Sequence, residues 1–312
     1  MLRYFLPFTS YPFTGAPTDC PVCSSRNHSR ICRMDRKLKR LQTHLCNECG
    51  LFFHHPMPTA DELAAYYAAI YRVEYQFMRR EPSRTHQARK AGQTRHWIAH
   101  IRTQVDLDRP LRTLDVGCGS GELVHRLAEL GHEAHGLEPG DSFAGHAADH
   151  APANACIHCC TWDAADLAPA SFDLITSLQV LEHLDRPVDA LRQIRDWLTP
   201  DGVLVIEVPD MAAYTCKGFD RFHFAHVLGF SRDNLLLALE RAGLAPMRHS
   251  PTTSFFAVHA ESTRARCLDR DLKATAERNR REYSAQFDAL GYLNRHVRRI
   301  WRVAGHQRGR MD

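Results

Sequence analysis

The sequence contains no apolar run of the roughly 18 to 20 residues that a membrane-spanning helix requires. Its longest apolar stretches, GVLVIEV at 202–208 and LLLAL at 235–239, match one buried strand or one helix face. A membrane span is therefore not expected. The N-terminus offers no secretory core either, because Pro7, Pro12 and Gly15 interrupt its apolar residues, and the expected location is cytoplasmic. A large excess of one charge is also missing. Forty Lys and Arg stand against 36 Asp and Glu, for a net charge of +4, so nucleic acid is not the expected partner. No internal repeat or low-complexity tract is visible. With 44% hydrophobic and 24% charged residues, the 312-residue chain has the composition of a folded globular protein, as one large domain with an appendage or as two domains.

What the chain has in quantity is cysteine, eleven in all. Their spacing is informative: CPVC supplies Cys20 and Cys23, CNEC supplies Cys46 and Cys49, and 22 residues separate the pairs. Two CxxC turns at that distance suit a tetrahedral four-thiolate zinc ribbon, and a site closed by four thiolates makes the zinc structural rather than catalytic. Cys32 lies between the pairs and is spare. Cys156, Cys159 and Cys160 fall where a third core strand is expected, and read there as small packing thiols.

Pattern shifts divide the chain into a ribbon module at 1–58, a helical connecting layer at 59–109, an α/β core at 110–261 and a helical extension at 262–312. Thr59 and Glu62 have capping-box spacing for the first helix. From Leu111, short apolar runs alternate with helical stretches: LRTLDV then GELVHRLAEL, EAHGLE then SFAGHAADH, SFDLITS then PVDALRQIRDWL, GVLVIEV then SRDNLLLALERAGL. Such alternation predicts βαβ units around a parallel sheet, with PMRHS and SFFAVHAE closing it as an antiparallel pair. The Arg-rich C-terminal segment reads as one or two helices outside the core.

LDVGCGSGE at 114–122 follows an apolar strand and opens a helix. Gly117, Gly119 and Gly121 thus sit in a strand-to-helix turn, where a ligand can approach backbone amides. The spacing differs from the dinucleotide fingerprint. Asp115 stands just before the turn, where a carboxylate suits an ammonium group or a water better than a pyrophosphate. Glu138 ends the next strand 23 residues later and can accept ribose hydroxyls.

In order and separation, LDVGCGSG, GLEPG and FDLITSLQVLEHLDRPVDALRQIRDWLTPDGVLVIEVPD resemble the class I S-adenosylmethionine-dependent methyltransferases, over roughly residues 105 to 260. The resemblance implies a seven-stranded, doubly wound Rossmann-like α/β sheet and S-adenosylmethionine as methyl donor. On that pattern Asp115 and the backbone of Gly117, Gly119 and Gly121 face the donor's methionine part and Glu138 its ribose, while Trp162 and Asp163 hold the adenine. CNECGLFFHHPMPTADELAAYYAAIYR is similar to the passage from zinc knuckles to a Tyr-rich helix in methyltransferases of bacterial polysaccharide and deoxysugar clusters. That likeness implies a sugar, sugar nucleotide or glycan acceptor, methylated at oxygen in preference to carbon. Tyr67 and Tyr71 then become candidates for the pocket, although their spacing also suits a core stripe.

His183, in QVLEHLD, follows the fourth core strand, and the resemblance places it beside the sulfonium; His226, in FHFAHVLGFS, lies in the loop before a helix capped by Ser231. Either imidazole, with a pKa near the ordinary value of about 6.5, can take a proton from an acceptor hydroxyl. Two other readings stay open. One is an RNA methyltransferase using the ribbon on nucleic acid, supported by the Arg-rich tail but opposed by the small net charge and the lack of an NPPY-like tetrapeptide. The other is a non-catalytic donor-binding scaffold, opposed by the intact Asp115, glycine turn and Glu138.

Overall fold

The structure, a computed structural model, describes residues 6–71, 84–211 and 221–283. The N-terminal segment forms an antiparallel sheet of β1 (His28–Met34), β2 (Arg40–Cys46) and β3 (Phe52–His54). Helix α1 (Ala60–Tyr66) starts at Thr59, whose hydroxyl accepts the Glu62 amide while the Glu62 carboxylate accepts the Thr59 amide. It runs into a wider turn over Tyr67–Tyr71, and α2 (Arg84–Ile101) leads into the core.

The core begins at β4 (Arg112–Val116) and alternates through α3 (Glu122–Glu129), β5 (Glu133–Leu137), α4 (Asp141–Asp149), β6 (Ala155–His158) and β7 (Phe172–Leu178). It continues through α5 (Pro187–Trp197), β8 (Leu198–Glu207), β9 (Leu228–Gly229), α6 (Arg232–Arg241), β10 (Leu244–Pro246) and β11 (Ser254–His259). Seven strands make one sheet in the order β10-β11-β8-β7-β4-β5-β6, parallel from β8 through β6 and antiparallel at β11. The alternation's parallel βαβ sheet is present, and it is the doubly wound Rossmann-like α/β sheet that the family resemblance implies. Helices cover both faces, so central strands are apolar almost throughout: four of the five β4 residues are buried. Helix α5 buries Leu191, Ile194 and Trp197 against that layer, and each such side chain contributes roughly 1.5 to 3 kcal/mol.

Three expectations change. The tenth strand ends at Pro246 instead of beginning there, because Gly243, at φ +76°, turns the chain straight from α6 into Leu244. Only Cys156 of the ACIHCC cysteines lies in β6, and Cys156 and Cys159 are exposed on this edge strand and the turn after it, whereas half-buried Cys160 packs against the core as expected. The C-terminal extension is not outside the core over its described part. Helix α7 (Leu272–Tyr283) buries Thr275, Ala276, Asn279 and Tyr283. The Asn279 amide donates to the Gly50 carbonyl at 2.8 Å and the Ser231 hydroxyl at 3.0 Å, and Tyr283 meets Phe52 edge-on at 5.1 Å. The helix thus clamps the N-terminal sheet to α6. Strand β9, from the core segment, pairs antiparallel with β3 and completes a four-stranded N-terminal sheet. The expected helical continuation over 284–312 lies outside the described residues.

Candidate active site

The turn after β4 is built from three left-handed glycines: Gly117 at φ +77°, Gly119 at +58° and Gly121 at +83°. A side chain is disfavoured at such φ on backbone grounds alone. At Gly117 space forbids it too, because a Cβ would lie 2.5 Å from Val180 Cγ2. Beside Gly119 there is room, the nearest atom to a Cβ being Phe143 Cδ1 at 4.0 Å. The Gly117 and Cys118 amides donate to the Leu137 carbonyl, tying the turn to β5.

The two carboxylates are held in place. Asp115, 6% exposed, accepts the Thr176 hydroxyl at 2.6 Å from its register partner on β7. Glu138 bridges two strand-to-helix turns, accepting the Gly119 amide at 3.1 Å and the Gly140 amide at 2.8 Å. A carboxylate between two turn amides orders both loops and keeps further acceptor capacity. Trp162 and Asp163 follow β6 at the same sheet edge. Arg186 lies 5.2 Å over the Trp162 ring and donates to Asp163 at 2.7 Å, and the Thr161 hydroxyl donates to Asp163 at 2.6 Å. Those hydrogen bonds, the Thr161 one foremost, lower the Asp163 pKa.

Beyond β7 the chain makes a short turn over Leu181–His183. Here lies a group that the sequence reading passed over. Glu182 is 1% exposed, and neither carboxylate oxygen has a hydrogen-bond partner from another described residue. Its Oε1 is 3.7 Å from His183 Nε2 and 3.9 Å from His226 Nε2, the two imidazoles standing nearly perpendicular at 4.8 Å. Burial drives the Glu182 pKa up to about 8 and the His183 pKa down to about 4. His226 is also held well below its ordinary value, by burial and then by His183. The expectation of a histidine titrating near 6.5 is corrected accordingly: in a site this dry both rings are neutral at neutral pH, and the group that titrates close to it is the carboxyl.

His183 is oriented from its other nitrogen, since Nδ1 lies 2.8 Å from the Ala225 carbonyl and 2.7 Å from the Tyr67 hydroxyl, which itself donates to Ala225 at 3.0 Å. Tyr67 packs with Tyr66 and Tyr71 as a core stripe would and also turns its hydroxyl to His183, and the Tyr71 ring is 6.1 Å from His183. A cleft opens on the cluster between the N-terminal sheet and the core, lined by Phe52, His54, Glu182, Met211, Arg221 and His226.

At the end of the N-terminal sheet, Cys20 and Cys49 place their sulfurs 3.6 Å apart, Cys23 and Cys46 theirs 3.4 Å apart, and all four lie within 4.8 Å of one another. Disulfide sulfurs sit about 2.05 Å apart, whereas thiolates about 2.3 Å from one tetrahedral ion are about 3.8 Å apart. Both knuckles end in a left-handed residue, Ser24 at φ +60° and Gly50 at +75°. Cys32 is separate, its thiol meeting the Met34 carbonyl at 3.0 Å.

A sequence profile of the family described as methyltransferase domain matches residues 84–249, more than half of the chain. The chain belongs to this methyltransferase family. Among curated relatives, a ubiquinone biosynthesis O-methyltransferase from Ruegeria pomeroyi is 30% identical over 118 residues, covering 36% of this chain and 48% of that protein. A tRNA U34 carboxymethyltransferase from a Shewanella species is 27% identical over 194 residues, covering 58% and 52%. This methyltransferase-domain chain thus spans about half the length of the curated relatives it matches. Among solved structures, magnesium protoporphyrin IX methyltransferase from Synechocystis with bound S-adenosylhomocysteine aligns over 64% of this chain and all of that one, at 13% identity and TM-score 0.48. Among the described residues no helix is long and apolar enough to cross a membrane.

Proposed function

We propose that the protein transfers a methyl group from S-adenosylmethionine to a hydroxyl of a small molecule, of the sugar or glycan class. One observation carries the reading. Gly117 of the glycine turn packs on Val180, and two residues later the same chain presents Glu182 to the cleft, with His226 beside it. Donor turn and proton-accepting cluster therefore share one edge of the sheet, the carboxyl edge where open α/β sheets bind ligands.

The residues fit the donor by their chemistry. Asp115 would hold the ammonium of the methionine part over the open side of Gly119, Glu138 would accept the ribose hydroxyls, and Trp162 with Asp163 would hold the adenine. Once bound, the donor supplies an electrophilic methyl on a sulfonium. The chain's own task is alignment and proton removal. His226, facing the cleft, takes the hydroxyl proton as a neutral base. Tyr67 and the Ala225 carbonyl fix the orientation of His183. Glu182 acts as a positioning residue whose ionised form favours the imidazolium that His226 becomes. The names of the O-methyltransferase relatives support a hydroxyl acceptor, and the sugar class rests on the likeness of the cysteine-rich segment.

A radiolabelled-methyl assay over sugar nucleotides, phenols and transfer RNA, at low and high salt, tests this reading. Label on a sugar hydroxyl is expected. Salt-sensitive label on RNA would replace the acceptor class, and donor binding without turnover on any acceptor would reduce the protein to a scaffold.

The four thiols suit one structural zinc, which would fasten the segment before β1 to the end of β2. The expected content is about one cysteine-bound zinc per chain. Cys46→Ser should remove it and unfold the N-terminal sheet, while calorimetry still detects donor binding. A thiolate-to-metal band unchanged in Cys46→Ser would refute the assignment.

A further inference from the structure

The N-terminal sheet carries a second constellation that neither the donor site nor the thiols use. His28 on β1, His44 on β2 and His55 just after β3 bring one nitrogen each to within 4.8 Å of one another. They come from three strands yet project from one face, for a simple reason of register. His28 pairs with Cys46 and Arg30 with His44 across β1 and β2, His44 pairs with Phe53 across β2 and β3, and His55 follows Phe53 by two residues. With a side-chain period of two, all three rings share a face.

The rings stand 5.0, 4.8 and 4.5 Å apart between centroids, and all three crowd over buried Phe53, which meets His28 edge-on at 5.2 Å. His28 Nδ1 and His44 Nδ1 are 2.9 Å apart. The buried Nδ1 of His55 has no hydrogen-bond partner among the described residues. The group contains no carboxylate, so nothing in it would compensate three imidazolium charges. Neutral rings with converging lone pairs are the donor set of a borderline divalent cation.

We propose that His28, His44 and His55 form a second metal site, for Zn²⁺ or a like divalent transition ion, with its fourth coordination position open to water or an external anionic ligand. Three half-buried imidazoles leave that side accessible, unlike the closed four-thiol group. The rings also have a floor, since Phe53 limits their tilt and so favours one convergent geometry.

Cobalt titration of the full chain, freed of metal under reducing conditions, tests this. Wild-type protein should take up two equivalents: one with the intense thiolate-to-cobalt band of the cysteine group, one weaker with only ligand-field bands. His55→Gln should bind one equivalent with the thiolate band intact, and His28→Gln, from a different strand, should do the same. Donor binding by calorimetry reports that each variant is folded. Uptake of one equivalent by wild type, or of two by both variants, would overturn the proposal.

Discussion

The turn after β4 and the cleft beyond β7 are both built around buried or half-buried carboxylates, but they treat them in opposite ways. At the turn every charge is provided for: Asp115 by Thr176, Glu138 by the Gly119 and Gly140 amides. In the cleft Glu182 is buried with neither oxygen hydrogen-bonded by another described residue, and two imidazole nitrogens stand just outside hydrogen-bond reach. A carboxylate whose partners are in place keeps a fixed shape, which suits a binding site for a constant ligand. An unsatisfied one is balanced between protonation states, and that balance is what proton transfer exploits.

The first way to break this comparison is to remove the base. His226→Ala should lower turnover at saturating donor by roughly 10²-fold or more, with donor affinity unchanged, because the ring lines the cleft beside Glu182, His183 and His223. Single-turnover rates beside calorimetric affinities check both halves. Wild-type turnover in His226→Ala would leave alignment alone as the source of rate.

A smaller effect is expected at the turn. Glu138→Ala should weaken S-adenosylmethionine and S-adenosylhomocysteine alike, by roughly 1 to 3 kcal/mol, or about 5- to 150-fold in Kd. Both ligands carry the same ribose, and the substitution also frees the Gly119 and Gly140 amides. Unequal losses for the two ligands would move Glu138 from the ribose to the sulfonium side.

The two regions also differ in how much of them could be read in advance. The β4 turn is contiguous: strand, glycines and acid follow one another within nine residues, so periodicity and spacing suffice. The two cysteine pairs are readable for the same reason, each being a short turn. The cleft and the cluster beside it are assembled from segments far apart in the chain, His54 in β3, Tyr67 after α1, Glu182 after β7 and His226 before β9. Nothing in the spacing of Tyr67 distinguishes a helix stripe from a hydroxyl aimed at His183. Glu182 did carry a signal, an acid next to His183 in an otherwise apolar turn, but burial is what gives it meaning. The histidine group of the N-terminal sheet was illegible because it depends on the register of three strands. The packing role of α7 was hidden likewise, since its buried Asn279 and Tyr283 answer Gly50, Ser231 and Phe52 rather than one another.

The smallest expected effect separates the two carboxylate designs most sharply. Glu182 holds a proton in the folded chain up to about pH 8, whereas an unfolded chain releases it near pH 4.5. The folded state thus binds more protons over that interval, and stability is lost as pH rises through it. His183 works the other way. Its folded pKa of about 4 lies below the unfolded value near 6.5, so its share of stability is present above pH 6.5 and lost as pH falls towards 4. The two slopes oppose each other between pH 4.5 and 6.5, and above pH 6.5 only Glu182 of this pair still titrates. Glu182→Gln keeps the shape and removes the charge, and His183 titrates in both proteins, so the variant's melting temperature should exceed that of wild type by an amount that grows from about pH 4.5 and levels off above pH 8. The gap should be on the order of 5 °C, since a few kcal/mol are at stake in a chain of this size. Turnover should report the same proton. Wild-type rates should climb through about pH 8 as Glu182 ionises and supports the His226 imidazolium, while Glu182→Gln should be slower and flat there. A constant melting difference across pH 6.5 to 9, or a retained rise in rate in the variant, would show that Glu182 is charged throughout and that cleft and turn handle their carboxylates alike.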